Sequence, residues 1–186
     1  MDLKLWGPLR HLIGNWEGDK GVDIAPSDDR KIEENRFREL VKFEAIGPVT
    51  NHEQILYGLR YSTTAWRLNE TDPFHEELGY WMWDGKASQV MRCFMVPRGV
   101  TILAGGTVKI DAKEFELKAQ TGSGTYGICS NPYLSQEFET VSYQLNVRGL
   151  SSQSFEYEED TVLKIKGTQK LFHHTDKNLL LKSVNK

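Results

Sequence analysis

The sequence predicts an all-β protein in which a single antiparallel meander closes into a barrel of about ten strands. Short runs of alternating apolar and polar residues recur along the chain, and turn residues separate them at regular spacing. A Gly14-x-Trp16 element opens the first of these runs. An open meander of this size would expose two strand edges, and closure into a barrel removes both.

The N-terminal segment is expected to form the closed end of this barrel. Trp16 can plug the floor with a large apolar ring, while its indole N–H donates to a nearby carbonyl. Just before it, residues 6–13 are predicted to form a short helical turn, with Pro8 suited to a first turn. Leu5, Leu9 and Leu12 would share one face and cover that end of the barrel.

The strands follow from residue alternation. The first is predicted at residues 15–22. Residues 31–43 fit a helix or a strand by periodicity, with the β context favouring a strand that Gly47-Pro48 ends. Further strands are predicted at 54–66, 74–83, 88–96, 100–108, 114–119, 140–147, 155–165 and 178–184. Residues 121–134 contain three glycines and Asn131-Pro132, and are predicted to be an irregular connection, either a gating loop or a disordered one.

Composition limits the classes of function. The 186 residues are expected to form one domain, 1–186, and a net charge of -3 disfavours nucleic-acid binding. No apolar run approaches the ~18 residues of a membrane helix, and the N-terminus lacks the apolar core of a signal peptide. The two cysteines, Cys93 and Cys129, have no metal-ligand spacing. They fit a reducing compartment, so the expected location is cytoplasmic.

Two adjacent histidines are the residues with the clearest potential for chemistry. In a strand, His173 and His174 would point to opposite faces, so one of them could reach the barrel interior. A neutral imidazole there is a good axial ligand for haem iron. Alternatively, both lie on a polar turn before Asp176. No nucleophile motif or phosphate-binding loop accompanies them.

Several short motifs, taken in order, resemble the nitrobindin family of haem-binding barrels, which are relatives of fatty-acid-binding proteins and lipocalins in the calycin superfamily. They are Gly14-x-Trp16-x-Gly18, Glu33-Glu34-x-x-Phe37, His75-x-Glu77-x-Gly79-Tyr80 and Pro97-Arg98-Gly99-Val100. The resemblance implies ferric haem b at the open end, nitric oxide binding and, with haem bound, peroxynitrite isomerisation. It implies His174 as the iron ligand, with His173 as the alternative. At the haem end, Arg36 stands where the family has threonine and is a candidate ligand contact.

Three functional hypotheses remain open from the sequence. The first is a haem site lined by Tyr143, Phe155 and Tyr157. The second is a non-haem pocket for a fatty acid or another small amphiphile, whose carboxylate would meet an interior arginine, Arg60 or Arg92. The third is an enzyme that uses other polar residues of the barrel. The expected partner is a small hydrophobic or haem ligand, and the protein is expected to be a monomer or homodimer.

Overall fold

Eleven β-strands close into a barrel, in a computed structural model that describes residues 2–183. Each strand pairs antiparallel with its neighbour along the chain, except around the eighth, and the first strand pairs with the last. The barrel class is therefore confirmed, with one strand more than expected. The strands are β1 (Gly14–Pro26), β2 (Ile32–Thr50), β3 (Ile55–Arg67), β4 (His75–Asp84), β5 (Gln89–Val96), β6 (Val100–Thr107), β7 (Phe115–Thr121), β8 (Gly127–Ser130), β9 (Phe138–Arg148), β10 (Ser154–Ile165) and β11 (Phe172–Lys182).

The barrel floor is built from the N-terminal tryptophans. A 3₁₀ helix, Leu3–His11, covers this end, and Trp6 donates its indole N–H to the carbonyl of Gly58 at 2.8 Å. Trp16 is fully buried and donates to the carbonyl of Leu12 at 2.6 Å. Both indole donors are therefore satisfied inside an apolar floor, as the Gly-x-Trp element predicts. Leu9 and Leu12 are buried with them.

The expected helical face is wrong in one residue. Leu5 is 45% exposed, and Trp6 takes its place in the floor. The segment kinks at Gly7, whose backbone is not helical (φ 54°, ψ -136°), so Leu5 does not stay on the face of Leu9 and Leu12. Neither helix in the described part of the chain has the length and apolar character needed to cross a bilayer.

Alternation along β2 shows how the strands divide the core from solvent. Phe37, Glu39, Val41 and Phe43 are buried, while Arg38, Leu40 and Lys42 between them are more exposed. The predicted end at Gly47-Pro48 is wrong, because β2 continues to Thr50 through a shift in its pairing with β3 between Ile46 and Val49. Such a bulge lets a strand pass a proline, which has no N–H for the ladder.

The connection at residues 121–134 is more ordered than predicted. It contains β8, which runs parallel to the end of β7, and it leads into a helix, α1 (Pro132–Glu137). Asn131 caps α1 by accepting a hydrogen bond from the Leu134 N–H at 3.0 Å. Because β8 occupies the space beside β6, β6 and β7 share only the pair Gly105 and Lys118 within the described chain.

The last strand begins earlier than predicted. β11 starts at Phe172 instead of residue 178, so both histidines lie in a strand rather than a turn. The predicted final residue, Val184, lies outside the described residues. His174 has the same parity as Asn178 and Leu180, which are buried, whereas His173 and Leu181 are exposed. His174 therefore lies on the inward side of β11.

Candidate ligand-binding site

A buried arginine lies at the centre of the barrel interior. Arg92 on β5 is 5% exposed, and its guanidinium contacts Glu77 at 2.5 Å and also Glu159. Tyr143 shares the same guanidinium, and the Tyr61 hydroxyl accepts from Arg92 Nε at 3.2 Å. We call these five residues the Arg92 cluster. All three guanidinium nitrogens have partners, and four of the five N–H donors of Arg92 are used within the cluster.

The two carboxylates of the Arg92 cluster titrate differently. Burial opposes the charge of Glu77, but the Arg92 guanidinium and the His75 ring outweigh it and lower the pKa of Glu77 to about 2. Burial raises the pKa of Glu159, and its attraction to Arg92 does not cancel this effect. One guanidinium therefore neutralises Glu77 more completely than Glu159.

Further carboxylates surround this cluster. Glu39 Oε1 accepts hydrogen bonds from Tyr157 Oη and Asn178 Nδ2, both at 2.8 Å. Burial nevertheless raises the pKa of Glu39 to about 7. Burial and neighbouring carboxylates raise the pKa of Asp176 well above its usual range. Its carboxylate accepts no hydrogen bond from any residue between 2 and 183. The interior is therefore acidic beyond what Arg92 balances.

A histidine lies at the end of the barrel opposite the floor, which we call the mouth. Leu180 pairs with Phe155, which packs against Trp16 with ring centroids 5.0 Å apart, whereas His174 lies about 20 Å away along β11 at ~3.3 Å per residue. The His174 side chain is 36% exposed, and its Nε2 lies 2.8 Å from Oδ1 of Asp23. Asp23 itself is buried. The mouth thus holds an inward imidazole fixed by a buried carboxylate.

Comparison with known proteins assigns the chain to a family. The family model described as "THAP4-like, heme-binding beta-barrel domain" matches residues 6–182. The chain belongs to this family. The structure is similar to the "Crystal Structure of Rv2717c from M. tuberculosis", with a TM-score of 0.68 and 21% identity over 95% of this chain and 98% of that one. A search of curated protein sequences finds no match.

Membership of the THAP4-like haem-binding family confirms the resemblance seen in the sequence. It raises the question of whether the residues at the mouth can hold a haem iron. The donor chemistry of His174 fits an axial iron ligand. A metal-bound histidine usually donates a hydrogen bond from its second ring N–H to a carboxylate or a carbonyl, and Asp23 is such a partner for His174. Its Nδ1 has no hydrogen-bond partner among residues 2–183. The interior beneath it is more polar than a lining of Tyr143, Phe155 and Tyr157 alone predicts.

The other predicted site residues are distributed over both sides of the wall. Tyr143 lies in the Arg92 cluster, and Tyr157 contacts Glu39. Phe155 lies at the floor against Trp16, far from His174. His173 is exposed and contacts Asp160 at 2.8 Å.

Arg36 and Arg60 lie on the outer wall, where they pair with Glu34 and Glu44. The side chains of both arginines are 61% exposed, so the structure does not bring either one to the interior. His75 contacts Glu77 of the Arg92 cluster, with Nε2 and Oε1 separated by 3.2 Å.

Sequence reasoning missed three of the interior acids, Asp23, Glu39 and Asp176. A signal for Glu39 was present, because it stands between Phe37 and Val41 on the face that the alternation assigns to the core. A charged residue at such a position is buried only when it is paired or protonated, which makes it a candidate functional group. Asp176 gives a weaker signal, because its neighbours on that face are His174 and Asn178 rather than apolar residues.

Proposed function

We propose that this protein binds haem b at the barrel mouth, with His174 as the axial ligand. One observation carries the proposal: in a chain of a haem-binding barrel family, His174 faces inward and a buried carboxylate holds one of its ring nitrogens. His173 faces outward and is the weaker candidate. A haem held by His174 would supply an iron that can bind nitric oxide or peroxynitrite.

The carboxylate beside His174 supports a ferric rather than a ferrous haem. Asp23 Oδ1 lies 2.8 Å from Nε2 of His174, and the Asp23 side chain is only 7% exposed. Negative charge close to a metal ligand, in a site of low dielectric constant, stabilises the more positive oxidation state of the metal.

The fatty-acid alternative lacks an unpaired arginine in the interior that could bind the carboxylate of the ligand. Arg60 lies on the outer wall, and the charge of Arg92 is already paired with the two glutamates of its cluster. A free fatty-acid carboxylate entering this interior would meet Asp176, Glu39 and Glu159 without a spare cation to pair with. Desolvating another anion there is unfavourable.

Titration of the purified protein with hemin tests the proposal, because adjacent histidines provide a matched pair of variants. We expect a saturable one-to-one Soret band in the parent protein and in His173→Ala. The band should be lost in His174→Ala. A band retained in His174→Ala, or a parent spectrum identical to that of free hemin, would contradict the proposal.

A further inference from the structure

We infer that Asp23 is the positioning residue for His174, an inference that rests on the proposed haem site. Asp23 on β1 is paired with Asp176 on β11, so His174, two residues before Asp176 on the same face, is its diagonal neighbour across the strands that close the barrel. The carboxylate Oδ1 lies 2.8 Å from Nε2 of His174, and the Asp23 side chain is only 7% exposed. At this distance the shielded carboxylate fixes the orientation of the ring.

A chain of side chains holds Asp23 in turn. Its Oδ2 accepts a hydrogen bond from Asn35 Nδ2 at 3.2 Å, and Asn35 Oδ1 accepts from Arg67 Nε at 2.9 Å. The Arg67 guanidinium lies over the Phe74 ring, 5.0 Å from its centroid. Both oxygens of Asp23 are therefore occupied, and four strands contribute to the position of one imidazole.

The contact decides which nitrogen of His174 can bind a metal. A carboxylate only accepts, so it keeps the imidazole proton on Nε2 and leaves the lone pair on Nδ1. A carboxylate that accepts the ring N–H also makes the imidazole a stronger electron-pair donor to a metal, because it stabilises the positive charge that coordination places on the ring. Asp23 should therefore tighten binding of the group and favour its ferric state.

The neighbouring histidine provides an internal control. His173 and Asp160 form the same kind of pair at 2.8 Å, but on the outer wall, where their side chains are 60% and 35% exposed. Asp23→Asn and Asp160→Asn therefore remove the same charge from the same chemical pair. Only the first change touches the proposed ligand.

The test measures hemin affinity and the midpoint potential of the bound haem in Asp23→Asn, Asp23→Glu and Asp160→Asn. We expect Asp23→Asn to weaken hemin binding by about 10- to 100-fold and to raise the midpoint potential. Asp23→Glu should bring both the hemin affinity and the midpoint potential part of the way back to the parent values, because it restores a carboxylate as the hydrogen-bond acceptor. Asp160→Asn should match the parent in both measurements.

The parent apoprotein supplies a readout that does not depend on whether a variant folds. Long-range ¹H–¹⁵N spectra should place the His174 proton on Nε2, and a proton on Nδ1 would overturn the inference. Equal hemin affinity and potential in Asp23→Asn and the parent would also overturn it. Failure of the proposed function looks different, because His174→Ala would then keep the parent's hemin affinity, and both proposals would fall together.

Discussion

Replacing Glu39 by glutamine should stabilise the protein in a strongly pH-dependent way. Glu39 is 4% exposed and accepts hydrogen bonds on Oε1 alone, from Tyr157 and Asn178. The glutamine carbonyl can accept the same two bonds, so Glu39→Gln removes the charge and keeps the contacts. The variant mimics the protonated form of the native side chain.

The size of the effect follows from the pKa of Glu39, which is about 7 in the folded protein against 4.5 as the ordinary value. Between these values the folded state holds a proton that the unfolded chain has lost, so the stability of the parent falls as the pH rises. The full difference corresponds to about 3 kcal/mol at 1.36 kcal/mol for each pH unit. Glu39→Gln should not show this loss.

Urea unfolding at pH 5 and pH 8 measures the effect. The stability advantage of Glu39→Gln over the parent should be larger at pH 8 by about 2 to 3 kcal/mol. Glu34→Gln, at a more exposed position of the same strand, controls for the loss of one negative charge. An advantage that is the same at both pH values would refute the claim that burial holds a proton on Glu39.

Three further substitutions test the packing of the barrel by urea unfolding. Arg92→Met leaves Glu77 and Glu159 buried without their cation and should cost about 3 to 5 kcal/mol; a cost near zero would show that the cluster is not buried. Trp16→Ala removes a fully buried ring from the floor and should cost about 3 to 5 kcal/mol, whereas a cost below about 1 kcal/mol would contradict the floor assignment. Gly79→Ala places a methyl group against the Cys93 carbonyl and should cost at least about 1 kcal/mol. Its control, Gly124→Ala, enters open space and should change stability by less than about 0.5 kcal/mol.

Local patterns were enough to predict the barrel but not all its elements. Alternation with a period of two identifies strands wherever one face is buried, and the Trp16 floor formed as its motif predicted. The Asn131-Pro132 pair is a typical start of a helix, so α1 could have been predicted from its cap. β8 has four residues and pairs with β6 and β7, so its formation depends on contacts that no local pattern contains.

The interior was harder to predict than the fold. His173 and His174 are consecutive, so in a strand one of them must face inward. The choice of His174 depends on the register of β11 against β1 and β10. Arg92 and Glu159 are 67 residues apart in the chain, so their contact exists only after closure of the barrel. The polar character of the interior is therefore a property of the tertiary structure.

The crystal structure of the hemin complex, with anomalous data collected at the iron edge, tests the central claim most directly. The account predicts an iron peak inside the mouth, within coordination distance of a ring nitrogen of His174, with the other nitrogen still bonded to Asp23. An iron peak on the outer wall beside His173, or in the interior away from His174, would contradict it.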